Sequence, residues 1–433
     1  MTRIKLSVLP VVAALACSFP AWADDAAVAT GQTAANPAVQ ATANPALTAQ
    51  QLSQMLGQAL SDLGFSSVGY VRTGFYSSSG DEKKGEYQLG GDLQHYRLAN
   101  EGDTYLEVGI EKRWDLGNGV KWGVYAMPSD YNGTYATKQV WSYITGLPFA
   151  PDATFWAGQR YHRIQDIHIL DNWLMQDGDD YGAGVDGIAI GSAKLNVSAS
   201  SAASEGTNGN DLNNAKRTNF QLIGIPLNQG GTLDLTGAIV TGDFSIGKQG
   251  GALGLLHNQK DFLMPGLNNS LFLQTSSGHA ALSGEFYNLD NSSGAQAGAK
   301  QNRIAEVINW QAGRFGGQAL VGYETVAPDN AAKYRDSSVG GRVSYGIAPS
   351  VKLLAEVGLT ARNTDNQPIQ HLNKGTVAIA FAPNTDFWTR PEFRIYASRF
   401  NWNDAAAVAN VSSFGANGKT SANTFGVQIE AWW

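Results

Sequence analysis

Three ionisable residues, Asp166, His168 and Asp171, stand close together in the chain and are the first place to look for chemistry. Two carboxylates around an imidazole suggest a metal centre or a general acid–base pair. Neither fits. A zinc site draws its donors from spaced pairs, and no second cluster lies nearby in the sequence. A glycosidase-type pair needs two carboxyl groups held apart across a substrate, not strung along a few residues of one loop. The reading therefore assigns no catalytic residue, no metal and no cofactor. A different pattern recurs: Tyr70 with Arg72, Tyr105 with Glu107, and Trp432 with Glu430 are each two residues apart. In an extended strand that spacing puts both side chains on one face, so rings and charges share a surface.

The segments that carry these pairs read as strands. Tyr105, Glu107, Gly109 and Glu111 alternate with Leu106, Val108 and Ile110; beyond a turn at 115–119, Trp122, Val124 and Ala126 alternate with Lys121, Gly123 and Tyr125. Val339, Val343, Tyr345 and Ile347 oppose Arg342 and Ser344. A three-residue turn, Ala348-Pro349-Ser350, then leads to Val351, Leu353, Ala355, Val357 and Leu359 opposing Lys352, Glu356 and Thr360. Period two over about ten residues, apolar on one face and charged on the other, matches a transmembrane β-strand. A soluble sandwich alternates as well. Here, however, the strands are long, tight turns alternate with long polar loops such as 77–94 and 200–216, and the polar face carries Arg, Lys and Glu, as a wet lumen permits. The last strand sets Phe425, Val427, Ile429, Ala431 and Trp433 against Gln428, Glu430 and Trp432, and its outward terminal aromatic suits an interfacial girdle.

The expected fold is all-β: one transmembrane antiparallel barrel over residues 64–433, long enough for about 16–18 strands of ~9–11 residues each. A barrel that wide leaves an aqueous channel, which becomes selective if one long insertion folds inward. Within it, Tyr and Trp serve as girdle residues or as ligand platforms, and Arg72, Arg342 and Arg394 line the pore or pair with carboxylates across it.

Composition agrees. Of 433 residues 10% are aromatic, 50 are glycine and only 15% are charged, a mixture of strand and turn formers. No apolar run reaches the ~18–20 residues of a membrane helix, since Pro10 and Cys17 break the N-terminal stretch. A net charge of −7 without a basic stripe argues against nucleic acid as a partner. Arg3 and Lys5, the apolar stretch Leu6–Phe19 and Ala21-Trp22-Ala23 read as a secretory signal peptide, residues 1–23. A lipoprotein signal ending at Cys17 would want Leu where Ala14 stands. The single Cys leaves with that segment, so the exported chain has no disulfide and needs another restraint, such as a closed hydrogen-bond network. Residues 24–45 have too few large apolar side chains to order themselves and read as a linker. Residues 46–63 read as a short amphipathic helix. Thr48 and Gln51 have capping-box spacing, and Leu52, Met55, Leu56, Ala59, Leu60 and Leu63 lie on one face, set either for packing on the main body or for a small coiled coil.

Several short motifs occur in a recognisable order: Val68-Gly-Tyr70-Val-Arg72; Tyr96-Arg97-Leu-Ala-Asn-Glu101 leading to Thr104-Tyr105-Leu-Glu107; Trp156-Ala-Gly-Gln-Arg160; Asp166-Ile-His168-Ile-Leu-Asp171; Phe387-Trp388-Thr389-Arg390-Pro391; and the ending from Thr424 to Trp433. Together they resemble the maltoporin, or sugar porin, family from about Gly69 to the end. The N-terminal segment 24–63 is similar in kind to the periplasmic helical extension of sucrose porins. The resemblance implies an eighteen-stranded homotrimeric barrel in the outer membrane of a Gram-negative bacterium. It would pass oligosaccharides by facilitated diffusion, with outer-membrane lipid around it and an inward-folded constriction loop. It also implies a slide of aromatics, here Tyr70, Tyr105, Trp388 and Trp432, beside a polar track of Arg72, Arg97 and Glu107. His168 and Asp171 correspond to polar residues of the constriction loop, and Trp173 takes the place of a constricting Tyr.

The chain departs from the family pattern in the loop, where Ile164 replaces an expected Arg and Arg163 stands beside it. A slide Phe corresponds to Leu267, Gly102 stands where a loop Cys can occur, and Tyr131 or Tyr135 is the candidate for the aromatic contributed by a neighbouring subunit. The rival readings are a general diffusion porin, a binding or adhesion barrel with a plugged pore, and an outer-membrane hydrolase.

Overall fold

The computed structural model describes residues 49–80, 86–161, 163–176, 181–201, 216–242, 248–280, 300–329 and 331–433. The expected signal peptide, the linker and residues 46–48 lie outside the described residues. The chain divides into two units, Met1–Gln54 and Met55–Trp433. Helix α1 (Ala49–Asp62) is the first described element and ends one residue before the sequence suggests, and Met55, Leu56 and Leu60 are exposed.

Among the described residues twenty strands follow: β1 (Phe65–Ser78), β2 (Tyr105–Gly117), β3 (Val120–Tyr131), β4 (Thr134–Leu147), β5 (Ala150–Gln159), β6 (Arg163–Ile167), β7 (Asn172–Gln176), β8 (Tyr181–Ile190), β9 (Ala193–Ser201) and β10 (Lys216–Asn228). The second half comprises β11 (Gly231–Thr241), β12 (Gly250–Gln259), β13 (Leu267–Ser277), β14 (Lys300–Ala312), β15 (Phe315–Ala327), β16 (Tyr334–Ala348), β17 (Val351–Thr364), β18 (Gln370–Phe381), β19 (Glu392–Trp402) and β20 (Ser421–Trp432). All but β6 and β7 form one eighteen-stranded antiparallel sheet, and β1 pairs with both β2 and β20, so the sheet closes on itself. Closure leaves no strand edge unpaired, which a barrel in lipid requires.

Side chains obey the expected alternation. Val357 is 52% exposed while the adjacent Glu356 is 1%, and Ile395 is 47% exposed beside Arg394 at 1%. The outer face is thus apolar and the inner face charged. Trp433 lies on the outer face with Phe425 and Ile429, over Gly69, where a Cβ would stand 2.3 Å from the indole.

Turns are tighter than the sequence suggests. Asn118-Gly119 joins β2 to β3 and Asn132-Gly133 joins β3 to β4, all four residues at positive φ, the geometry of two-residue hairpins. The turn before β17 is Pro349-Ser350 alone, because a bulge between Gly346 and Ala348 takes Ala348 into the ladder.

Besides the short helices within 404–414, whose Ala406, Ala407 and Phe414 are buried with Phe400 and Trp402, two of the described segments pack against the inner face. One is the β6–β7 hairpin with the 3₁₀ turn His168–Leu170 between its strands. The other is residues 86–104, between β1 and β2. Alternation predicts a long polar loop over 77–94, but within it Tyr87, Leu89 and Leu93 are buried, as are Tyr96 and Leu98 just beyond, each at 2% exposure or less. Their apolar side chains explain the difference, since a solvated loop would leave five large hydrophobic groups in water. Tyr96 lies over Gly340 and Gly358, where a Cβ would come within 2.4 and 2.2 Å of its ring, and its hydroxyl meets Ser338 Oγ at 3.0 Å.

Candidate functional site: an aromatic line beside a charged network

Closure of the barrel assembles the site. Antiparallel register sets Tyr70 of β1 opposite Trp432 of β20 on one side and opposite Glu107 of β2 on the other, and sets Arg72 opposite both Glu430 and Tyr105. Residues from the two ends of the sequence therefore become cross-strand neighbours. The rings form a file. Tyr70 and Tyr105 have centroids 6.0 Å apart, and Tyr105 and Tyr131 are 6.4 Å apart. Near the other end of the file, His168 stands 5.5 Å from Trp432 and 5.4 Å from Trp388, and Trp388 is 4.9 Å from Phe387. Trp388 is 41% exposed, so its ring is open to a ligand. Of the two candidates for the neighbouring-subunit aromatic, Tyr131 joins this file and the exposed Tyr135 does not. Leu267 is absent from it: Leu267 lies opposite Trp310 on the outer face, the face of Ile304.

Beside the rings runs an ionic network. Arg97, on the 86–104 segment, donates through Nε to Glu101 Oε1 at 2.9 Å and through Nη2 to the Tyr70 hydroxyl at 2.5 Å; its guanidinium also lies 3.1 Å from Glu430 and 3.2 Å from Asp171. Arg72 holds Asp103 at 2.6 Å, Asp171 at 2.7 Å and Glu101 at 3.0 Å. Arg390 donates to Glu430 at 2.8 Å, Arg394 bridges Glu392 and Glu430, and Lys352 reaches Glu392 at 2.7 Å. Desolvating one such charge costs several kcal/mol, roughly, and reciprocal pairing is what makes this density of buried charge tolerable. Glu107 accepts from the Tyr105 hydroxyl at 2.6 Å, and Arg72 and Arg97 approach the rings of Tyr105 and Tyr70 at 5.6 and 5.9 Å.

The hairpin carries His168 and Asp171 into this network. Ile167, Ile169 and Leu170 are buried with Leu256, Phe272, Val307 and Leu320, and the Ile169 amide donates to Gln318 Oε1 at 3.0 Å. A segment rooted between β5 and β8 thus packs against β12–β15. His168 Nε2 lies 3.1 Å from Arg342 and 3.0 Å from Arg390, and because guanidinium groups only donate, that nitrogen accepts. Burial holds His168 neutral, well below the usual imidazole range, against the pull of Glu430 and in the same direction as the repulsion of Arg97, Arg342 and Arg390. Burial works against ionising Asp171, yet Arg97 and Arg72 bring it down to about 2. Asp171 adopts left-handed backbone, φ +53°, where it ends the 3₁₀ turn. Burial pushes Asp166 up to about 7 against the pull of Arg97, and Asp166 Oδ1 has no hydrogen-bond partner among the described residues.

The remaining sequence candidates, Arg163 and Trp173, lie on the two strands of the small hairpin. Arg163 packs over the Tyr161 ring at 3.7 Å, and Trp173, half-buried, faces Asp166 across the small hairpin. The sequence reading missed Glu430, Arg390, Glu101 and Asp103 as members of the network. Strand parity had set Glu430 beside Trp432 and could have raised it; Asp103 carries no signal, because its role depends on how the 86–104 segment folds back. Among the described residues no group of His, Cys, Asp and Glu is arranged to hold a metal ion.

Eighteen antiparallel strands, apolar outside and charged within, define an outer-membrane barrel of the porin type. The family can be given more closely. The LamB porin model matches residues 65–433, and the chain belongs to that family. A maltoporin of Hahella chejuensis (strain KCTC 2396) is 28% identical over 393 residues, covering 84% of this chain and 92% of the relative. Among solved structures, Pseudomonas aeruginosa OccK10 (OpdN) is similar at a TM-score of 0.49 and 10% identity, covering 85% of this chain and 98% of that one. Pseudomonas aeruginosa OprD has a TM-score of 0.48 at 8% identity, covering 85% and 95%.

Proposed function

We propose that this porin is a sugar-selective channel for maltodextrins or related oligosaccharides. Tyr105, Tyr70, Trp432 and Trp388 form the slide; Arg72, Arg97 and Glu107 form the polar track; and the hairpin carrying Arg163, His168, Asp171 and Trp173 narrows the passage. The observation that carries this reading is the file of rings running beside a dense set of hydrogen-bonding charges. A pyranose has an apolar face and a rim of hydroxyls. Stacking on the one and charge-assisted hydrogen bonds to the other replace its hydration at little net cost. Such contacts are individually weak and repeated, so a sugar can enter, step along and leave.

The same reading makes the mature protein a homotrimer with its N-terminal extension in the periplasm and residues 1–23 cleaved on export. Liposome swelling tests the selectivity. A slide admits maltose and maltohexaose faster than polyethylene glycols of matching size. Rates set by solute size alone would make the protein a general diffusion porin.

A further inference from the structure

A second group of inward-facing aromatics lies on β3–β5, outside the file just described. Register fixes its face: Glu111 stands opposite Tyr125, Tyr125 opposite Trp141, and Tyr143 opposite Trp156, and Glu111 shares the inner face with Tyr105 and Glu107. Ring centroids of Tyr125 and Trp141 are 5.5 Å apart, and those of Trp141 and Tyr143 are 5.3 Å apart.

Two features make this group a platform. First, the tyrosines lie against backbone that has no side chain. A Cβ on Gly123 would come within 2.1 Å of the Tyr143 ring, and one on Gly109 within 1.9 Å of the Tyr125 hydroxyl. A ring laid on the wall over glycine covers the backbone with one face and turns the other to the lumen. Tyr125, Trp141 and Tyr143 are each only half-buried. Second, polar groups are fixed at the margin. Tyr143 donates to Glu111, which also accepts from Ser66 Oγ at 2.7 Å. Arg160 packs on Trp141 and Trp156 at 4.6 and 4.9 Å and is held by Asp186 at 2.5 Å. Half-open rings bordered by a held carboxylate and a held guanidinium can serve both the face and the rim of a pyranose.

We infer that Tyr125, Trp141 and Tyr143 form a second stacking subsite for oligosaccharide, on the β3–β5 wall of the lumen, with Glu111 and Arg160 as its hydrogen-bonding partners. This rests on the sugar-channel reading above and extends it: a long chain that has left Tyr105 meets further rings instead of bare water. The subsite lies toward the Asn118-Gly119 turn, since Glu111 is farther along β2 than Tyr105 in that direction.

The test is maltohexaose titration of ion current in planar bilayers for the wild type, Trp388→Ala, and a Trp141→Leu/Tyr143→Leu double variant. The expected result is block of the wild type, weaker block of Trp388→Ala, and block of the double variant weakened about two- to tenfold with small-ion conductance retained. Should the double variant yield no channels, Trp141→Phe takes its place, with a weakening of about twofold expected. Wild-type block that Trp388→Ala weakens and the β3–β5 variants leave unchanged overturns the second subsite and leaves the sugar-channel reading standing. Absence of block in the wild type removes that reading, and the subsite with it.

Discussion

Tyr70 and Trp432 face each other directly across the β1–β20 seam, although 360 residues of chain separate Tyr70 from Glu430, whose carboxylate accepts the Tyr70 hydroxyl proton at 3.1 Å. The hydrogen bonds that close the barrel therefore also set the slide candidates side by side. The proposed slide depends on register: a slip of one residue between β1 and β20 would turn Trp432 to the lipid and Trp433 to the lumen.

Trp388→Ala removes a ring that is open to the lumen and packed on His168. Sugar block of the channel is expected to weaken about two- to tenfold with small-ion conductance in place. Unchanged block in a current titration would take Trp388 out of the slide.

Arg97→Met strips the shared partner from Glu101, Asp171 and Glu430. Glu101 and Asp171 keep Arg72, and Glu430 keeps Arg390 and Arg394, so the expected loss is about 1–3 kcal/mol, below that of a buried charge left wholly unpaired. Denaturant unfolding in detergent measures this, and a variant as stable as the wild type would show that Arg72, Arg390 and Arg394 suffice for the three acids.

Asp166 changes charge near neutrality, since burial raises it to about 7. As pH rises from about 6 to 8 it loses its proton and adds a negative charge beside the network. Cation preference should rise over that window, and Asp166→Asn should remove that part of the rise. Reversal potentials under a salt gradient report it; an identical profile in the variant assigns the change to another group.

Gly358→Ala places a methyl group 2.2 Å from Tyr96 Cδ2. Tyr96 must move and give up its bond to Ser338, at an overpacking cost of about 1–3 kcal/mol. Lower thermal stability in detergent is expected. Gly375→Ala, which meets nothing within 4 Å, serves as the control.

Trp433→Ala acts on the lipid side, where the indole covers Gly69 and donates to Ser67 at 3.2 Å. Folding into membranes should suffer more than sugar affinity. Normal assembly with lost sugar block would contradict the strand parity.

Much of the barrel was legible because alternation is local: Glu356 against Val357, or Glu430 against Ile429, can be read from a few adjacent residues. Parity likewise set Tyr70, Tyr105 and Trp432 on the inner face. The sequence reading went astray where position depends on distant chain. Turn length at Ala348 hinged on a bulge, the placing of Leu267 on its register with Trp310, and the burial of residues 86–104 on glycines 340 and 358, more than two hundred residues away. Tyr125, Trp141 and Tyr143 form no motif in the sequence and come together only when β3 and β4 pair.

Titration of single-channel current with maltose, maltohexaose and sucrose in planar bilayers bears most directly on the central claim. A sugar channel with a slide gives open channels that maltohexaose blocks reversibly and in proportion to its concentration, with maltose weaker because it covers fewer rings. Channels whose current ignores all three sugars, or a purified protein that forms no channels, would contradict it.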